Sequence, residues 1–150
     1  LVFAQGEPRF PLGEPVNRGR GNDPPDCEVL DVDGRRIGIE VTELIDERAV
    51  AAAKQNGGVQ WALWDVEKVR SAIQTRLTAK DGKVLKGGPY DEYLVLIFTD
   101  EPALPADLVE RAVAVAPFDA VATIDRAYVL LSYDPHRRTY PSVRIPFGAV

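Results

Sequence analysis

Two alternating runs, Asp26-Cys27-Glu28-Val29-Leu30-Asp31 and Arg35-Arg36-Ile37-Gly38-Ile39-Glu40-Val41-Thr42, flank the segment Val32-Asp33-Gly34. Alternation of apolar and polar positions predicts strands with one buried face, and the Asp-Gly pair between them predicts a β-hairpin. Residues 43–55 read as a helix with an alanine-rich middle, stopped by Asn56-Gly57-Gly58. A longer helix is predicted over 59–80, where Trp61 or Ala62, Val66, Val69, Ile73 and Leu77 recur at helical spacing. Residues 93–99 form a continuous apolar run, the pattern of a strand buried on both faces. A helix over 104–116, with Pro105 in its first turn, comes next. Strands are expected at 120–124 and 128–133, with an edge strand at 140–145. The first 25 residues hold Pro8, Pro11, Pro15, Pro24 and Pro25 and read as an irregular arm, which leaves 26–150 as a single domain. The order of elements predicts an α/β domain with a central mixed β-sheet flanked by helices.

Turn geometry decides which hairpin side chains share a face. A two-residue loop at Asp33-Gly34 would mix apolar and charged residues on both faces. A three-residue loop, 32–34, puts Gly34 at the left-handed position of a bulge, where glycine has no steric penalty. Cys27, Val29, Ile37, Ile39 and Val41 then fall on one face, and Asp26, Glu28, Glu40 and Thr42 on the other. Burial of one face fixes register, so the second solution is expected. It sets Asp26 opposite Glu40, with Cβ atoms about 5 Å apart. Two opposed carboxylates repel, and a divalent cation between them reverses the sign of that term. Gly38 is expected to leave space beside the pair for a ligand. Two carboxylates, a backbone carbonyl and waters suit Mg²⁺ or Mn²⁺.

Composition narrows the chemistry. With 150 residues, 45% hydrophobic and 27% charged, the chain can bury a core. One cysteine and one histidine exclude a disulfide framework, a multi-cysteine zinc site and a His-rich metal centre. His136, in Asp134-Pro135-His136-Arg137-Arg138, reads as a solvated turn histidine. No apolar run approaches the roughly 20 residues of a bilayer span, and no signal-peptide pattern opens the chain, so no membrane association and a cytoplasmic location are expected. A chain that opens on Leu1 and has no methionine is expected to be a trimmed form or the visible part of a longer one.

Charge is uneven. Residues 1–60 carry 11 acids and 7 bases, residues 61–90 carry 3 and 6, and residues 91–150 carry 9 and 5, giving −4, +3 and −4. The basic middle segment reads either as a solvated helix face or as a landing strip for a polyanion, for which Lys68, Arg76 and Lys83 are candidate nucleic-acid contacts.

Pro25-Asp26, the hairpin, and then Gly38-Ile39-Glu40-Val41-Thr42-Glu43-Leu44 resemble the core of the PD-(D/E)xK nuclease superfamily. The likeness covers residues 24–45. It implies a restriction-endonuclease-like fold and a metal-dependent nuclease in which Asp26, Glu40 and the carbonyl of Val41 hold Mg²⁺ or Mn²⁺. The lysine of the superfamily pattern is replaced by Thr42, which cannot supply a cation. Lys80, seven residues beyond Ile73 on the core-facing stripe, is the expected substitute, with Lys68, Arg76 and Lys83 as rivals. Two readings follow. One is a nuclease acting on DNA or RNA, with Asp26, Glu40 and Lys80 as catalytic residues. The other is an inactive domain of the same fold that binds nucleic acid or protein.

Overall fold

The computed structural model describes residues 14–19, 21–57 and 63–149. The expected helical residues 59–62 and most of the N-terminal arm lie outside them. Six strands, β1 (Val16–Asn17), β2 (Cys27–Leu30), β3 (Arg36–Glu43), β4 (Glu92–Thr99), β5 (Arg126–Leu131) and β6 (Ser142–Arg144), form one sheet in sequential order. The β3–β4 and β4–β5 pairs are parallel and the rest antiparallel, so the chain is an α/β protein with a mixed sheet. Its helices are α1 (Glu47–Asn56), α2 (Val66–Lys80) and α3 (Ala106–Ala114). None of them is long and apolar enough to cross a membrane.

The hairpin has the register of the three-residue loop. Cys27 pairs with Ile39, Glu28 with Gly38 and Val29 with Ile37. Gly34 has φ +77°, and Asp31 Oδ1 accepts from the amides of Asp33 and Arg35, which closes the turn. β4 is the spine of the sheet, flanked on both sides and almost wholly buried, as its unbroken apolar run requires. On one face Val95, Ile97, Val129 and Leu131 pack with Val69, Ile73 and Leu77 of α2 and Val109 and Ala112 of α3. On the other face Val29, Ile37, Ile39, Leu94, Leu96 and Tyr128 form a smaller cluster.

Several elements depart from the sequence reading. Val16 and Asn17, inside the expected irregular arm, pair with β2. The strand β3 runs on to Glu43 because its parallel pairing with β4 continues to Glu43–Phe98, and α1 starts only after Asp46, whose carboxylate caps the amides of Arg48 and Ala49. Residues 120–124 form no strand: the amides of Ala122 and Thr123 bind the Asp81 carboxylate instead of a ladder. Val41, expected in the buried face, is 45% exposed, since β2 reaches only as far as Ile39 and leaves that edge of β3 uncovered.

Candidate active site

The uncovered edge of β3 is where the chemistry collects. Beyond the Cys27–Ile39 pair the ladder is continued by a side chain: Asp26 Oδ2 accepts from the Val41 amide at 2.7 Å. The amide and carbonyl of one strand residue point the same way, so the Val41 carbonyl faces the same edge as Asp26. Asp23 and Asp26, with Asn17 and Gly19, line an open cavity of about 310 Å³ there.

Glu40 precedes Val41 and points to the helical face of the sheet. It is 6% exposed, far more buried than a solvated sheet face would leave it, because the end of α2 lies over it. Lys80, the last residue of α2, donates to Glu40 Oε1 at 2.6 Å. The buried positions Val69, Ile73 and Leu77 fix which side of α2 meets the sheet, and Lys80 follows on that side. The helix end is itself anchored. Asp81 accepts from the amides of Ala122 and Thr123 and from the Thr123 hydroxyl. Burial works against the charge on Asp81, but these bonds and the Gly82 amide outweigh it and hold its carboxyl below the usual range.

The other expected basic residues go elsewhere. Lys68 pairs with Asp46 and lies over the Trp64 ring, about 18 Å along the helix from Lys80 at 1.5 Å per residue. Arg76, one turn before Lys80, donates to the Glu43 carbonyl and to Glu47, so it is tied to β3 and α1. Lys83 is exposed on the loop after α2. The space over Gly38, expected to admit a ligand, is filled: a Cβ there would lie 3.1 Å from Pro25 Cγ and 3.4 Å from the Tyr90 ring.

The pair creates a negative potential that its neighbours register. Burial, then the charges of Asp26 and Glu40, push the Cys27 thiol up. Burial, then Glu40, Asp26 and Asp81, push the Tyr93 hydroxyl far up. Among the described residues, no group of three or more His, Cys, Asp or Glu side chains converges as a metal centre. The oxygen donors nevertheless fit a hard divalent cation. Glu40 Oε2 is buried without a hydrogen-bond partner, Asp26 uses one oxygen on Val41, and the Val41 carbonyl shares that edge. Glu40 Oε2 is sealed from solvent in this conformation, so a cation reaches it only if the carboxylate or Lys80 turns aside.

Sequence reasoning missed Tyr93 and a polar cluster on Glu28. Tyr93 was hidden within the apolar run of β4. Arg18, Arg36 and Tyr90 converge on Glu28, with Arg18 and Arg36 each 2.8 Å and the Tyr90 hydroxyl 3.0 Å from Glu28 Oε2. This cluster ties the loop before β4 to the hairpin, and only a three-dimensional contact could reveal it. Comparison with known protein families, with curated proteins and with solved structures finds no match.

Proposed function

We propose that this chain is a metal-dependent phosphodiesterase acting on nucleic acid, built on the PD-(D/E)xK plan of a restriction-endonuclease-like fold with its lysine moved to the end of α2. The observation that carries this reading is the convergence of Lys80 on Glu40 beside the edge that holds Asp26. In the superfamily pattern the cation follows the glutamate by two residues; here Thr42 stands in that place and an ammonium arrives from another element.

Asp26, Glu40 and the Val41 carbonyl would hold Mg²⁺ or Mn²⁺. The bound ion would supply a water of lowered pKa and charge neutralisation at a phosphoryl oxygen. The Val41 amide fixes the Asp26 carboxylate, leaving its second oxygen for a ligand. Lys80 provides positive charge where negative charge builds up on a phosphate in the transition state. The packing of α2 and the Asp81 bonds hold the helix end, and Glu40 holds the ammonium, so the charge is positioned before a substrate arrives.

The test is cleavage of single- and double-stranded DNA and of RNA by purified protein with Mg²⁺ or Mn²⁺, against Lys80→Ala and Asp26→Asn. Metal-dependent cleavage lost in both variants supports the reading. No cleavage of any substrate, with no binding of either ion, replaces it by a binding domain of the same fold.

A further inference from the structure

Glu40 Oε1 is held by Lys80, while Oε2 is buried with no hydrogen-bond partner. A buried carboxylate oxygen without a donor is costly, so its surroundings should contain the donor it lacks. The sheet register points to one. Gly38 pairs with Tyr93 and Glu40 with Val95, so Tyr93 and Glu40 share a face as diagonal neighbours, within reach of long side chains. Gly38, directly across from Tyr93, carries no side chain of its own, and Pro25 and Tyr90 close over it. Tyr93 is 2% exposed, and its hydroxyl is likewise buried without a partner. Among the described residues, the other side-chain atoms buried without a partner include Arg18 Nε, beside Glu28, and Trp64 Nε1, near the start of α2.

We propose that Tyr93 is a positioning residue of the site, its O–H donating to Glu40 Oε2 as the carboxylate turns about its terminal torsion, a broad and soft one. The carboxylate is then held from both ends, by Lys80 on Oε1 and Tyr93 on Oε2. Each oxygen retains a lone pair for a cation. The contact stands on the sheet geometry; its role in the site rests on the phosphodiesterase reading.

A double-mutant cycle in denaturant unfolding tests the contact, with Tyr93→Phe measured in the parent and in a Glu40→Met background. Tyr93→Phe should lower the folding equilibrium constant about tenfold in the parent and less than about twofold when Glu40 is absent. Removal of a hydroxyl that bonds nothing would leave the parent as stable or more stable. That result, or an equal loss in both backgrounds, overturns the contact. Calorimetric titration with Mn²⁺ reads the role: Tyr93→Phe should weaken binding at least tenfold, as loss of an outer partner of a metal ligand does. Unchanged Mn²⁺ affinity in a coupled pair overturns the positioning role alone. A parent that binds no Mn²⁺ overturns the phosphodiesterase site and the positioning role with it.

Discussion

Lys80 Nζ lies 2.6 Å from Glu40 Oε1, joining the last residue of α2 to the middle of β3. The two side chains are unequally placed. Lys80 is 23% exposed on a flexible stem, whereas Glu40 is 9% exposed by its side chain and lies beneath the lysine. Removal of Lys80 therefore strands a buried charge, while removal of Glu40 lets the ammonium turn to solvent. Lys80→Ala should cost about 3 kcal/mol, Glu40→Ala about 1 kcal/mol, and the double variant less than Lys80→Ala alone. Denaturant unfolding of the three variants measures this. Equal losses would show that the pair is solvated.

The same asymmetry predicts how the site handles a cation. In Lys80→Ala an uncompensated Glu40 should bind Mn²⁺ at least as tightly as in the parent, and Mn²⁺ should raise the melting temperature more than in the parent. Cleavage should nevertheless fall by about 10² or more, the usual effect of losing one electrostatic stabiliser. Lys83→Ala is the control and should change cleavage little. If Lys80→Ala cleaves as well as the parent, the cation that serves the phosphate is another residue.

Asp26 has a structural role whatever its chemistry, since its Oδ2 accepts from the Val41 amide. Asp26→Ala should lose about 1–2 kcal/mol through that bond. Asp26→Asn retains an acceptor oxygen and should keep most of the stability, yet lose Mn²⁺ affinity with the charge. Calorimetry and melting of the two variants separate the roles. Equal Mn²⁺ binding by Asp26→Asn and parent would remove Asp26 from the metal site.

Below pH 4 the fold should weaken through carboxylates that fold with depressed pKa. The Lys68 hydrogen bond, then the Ala49 amide, hold Asp46 low, and the bonds to the 120–124 loop hold Asp81 low despite burial. A depressed folded value means the stabilisation is present above the ordinary carboxylate pKa of about 4 and is lost as pH falls through it toward the folded value. Melting temperatures between pH 7 and pH 2.5 should drop steeply at the acid end, and Asp81→Asn should flatten part of that drop. An identical acid slope in Asp81→Asn would show that its anchoring bonds survive protonation.

What was legible in the sequence had a local signature. The hairpin register followed from Gly34 and the alternation of apolar positions, because a one-residue slip would have exposed Ile37 and Ile39. The approach of Lys80 followed from its place beyond Ile73 and Leu77, since helical periodicity carries a stripe to its end. What was illegible depended on partners distant in sequence. Residues 120–124 have strand-like composition, but Asp81 takes their amides. Lys68 and Arg76 look like surface charge until Asp46, Glu43 and Glu47 are brought beside them. Pro25 and Tyr90 close over Gly38 from two loops, which no spacing announces.

Thr42 offers the sharpest test of the displaced lysine. It lies on β3 two residues beyond Glu40, so both side chains point to the same face, and it is half-buried opposite Ile97 of β4. A lysine at that position has a stem long enough to lay its methylenes along the sheet and carry its ammonium toward the site. Glu40 can then exchange one partner for another without losing its counter-charge. Thr42→Lys in the Lys80→Ala background should recover part of the lost stability, because Glu40 is no longer stranded, and at least tenfold of the lost Mg²⁺-dependent cleavage. In the parent background it adds a second cation beside the first, and like charges so close should cost stability and weaken Mn²⁺ binding. The two backgrounds must therefore respond with opposite sign. A Thr42→Lys change that destabilises both equally and restores no cleavage would show that the charge at Lys80 is not the lysine of the pattern in another place.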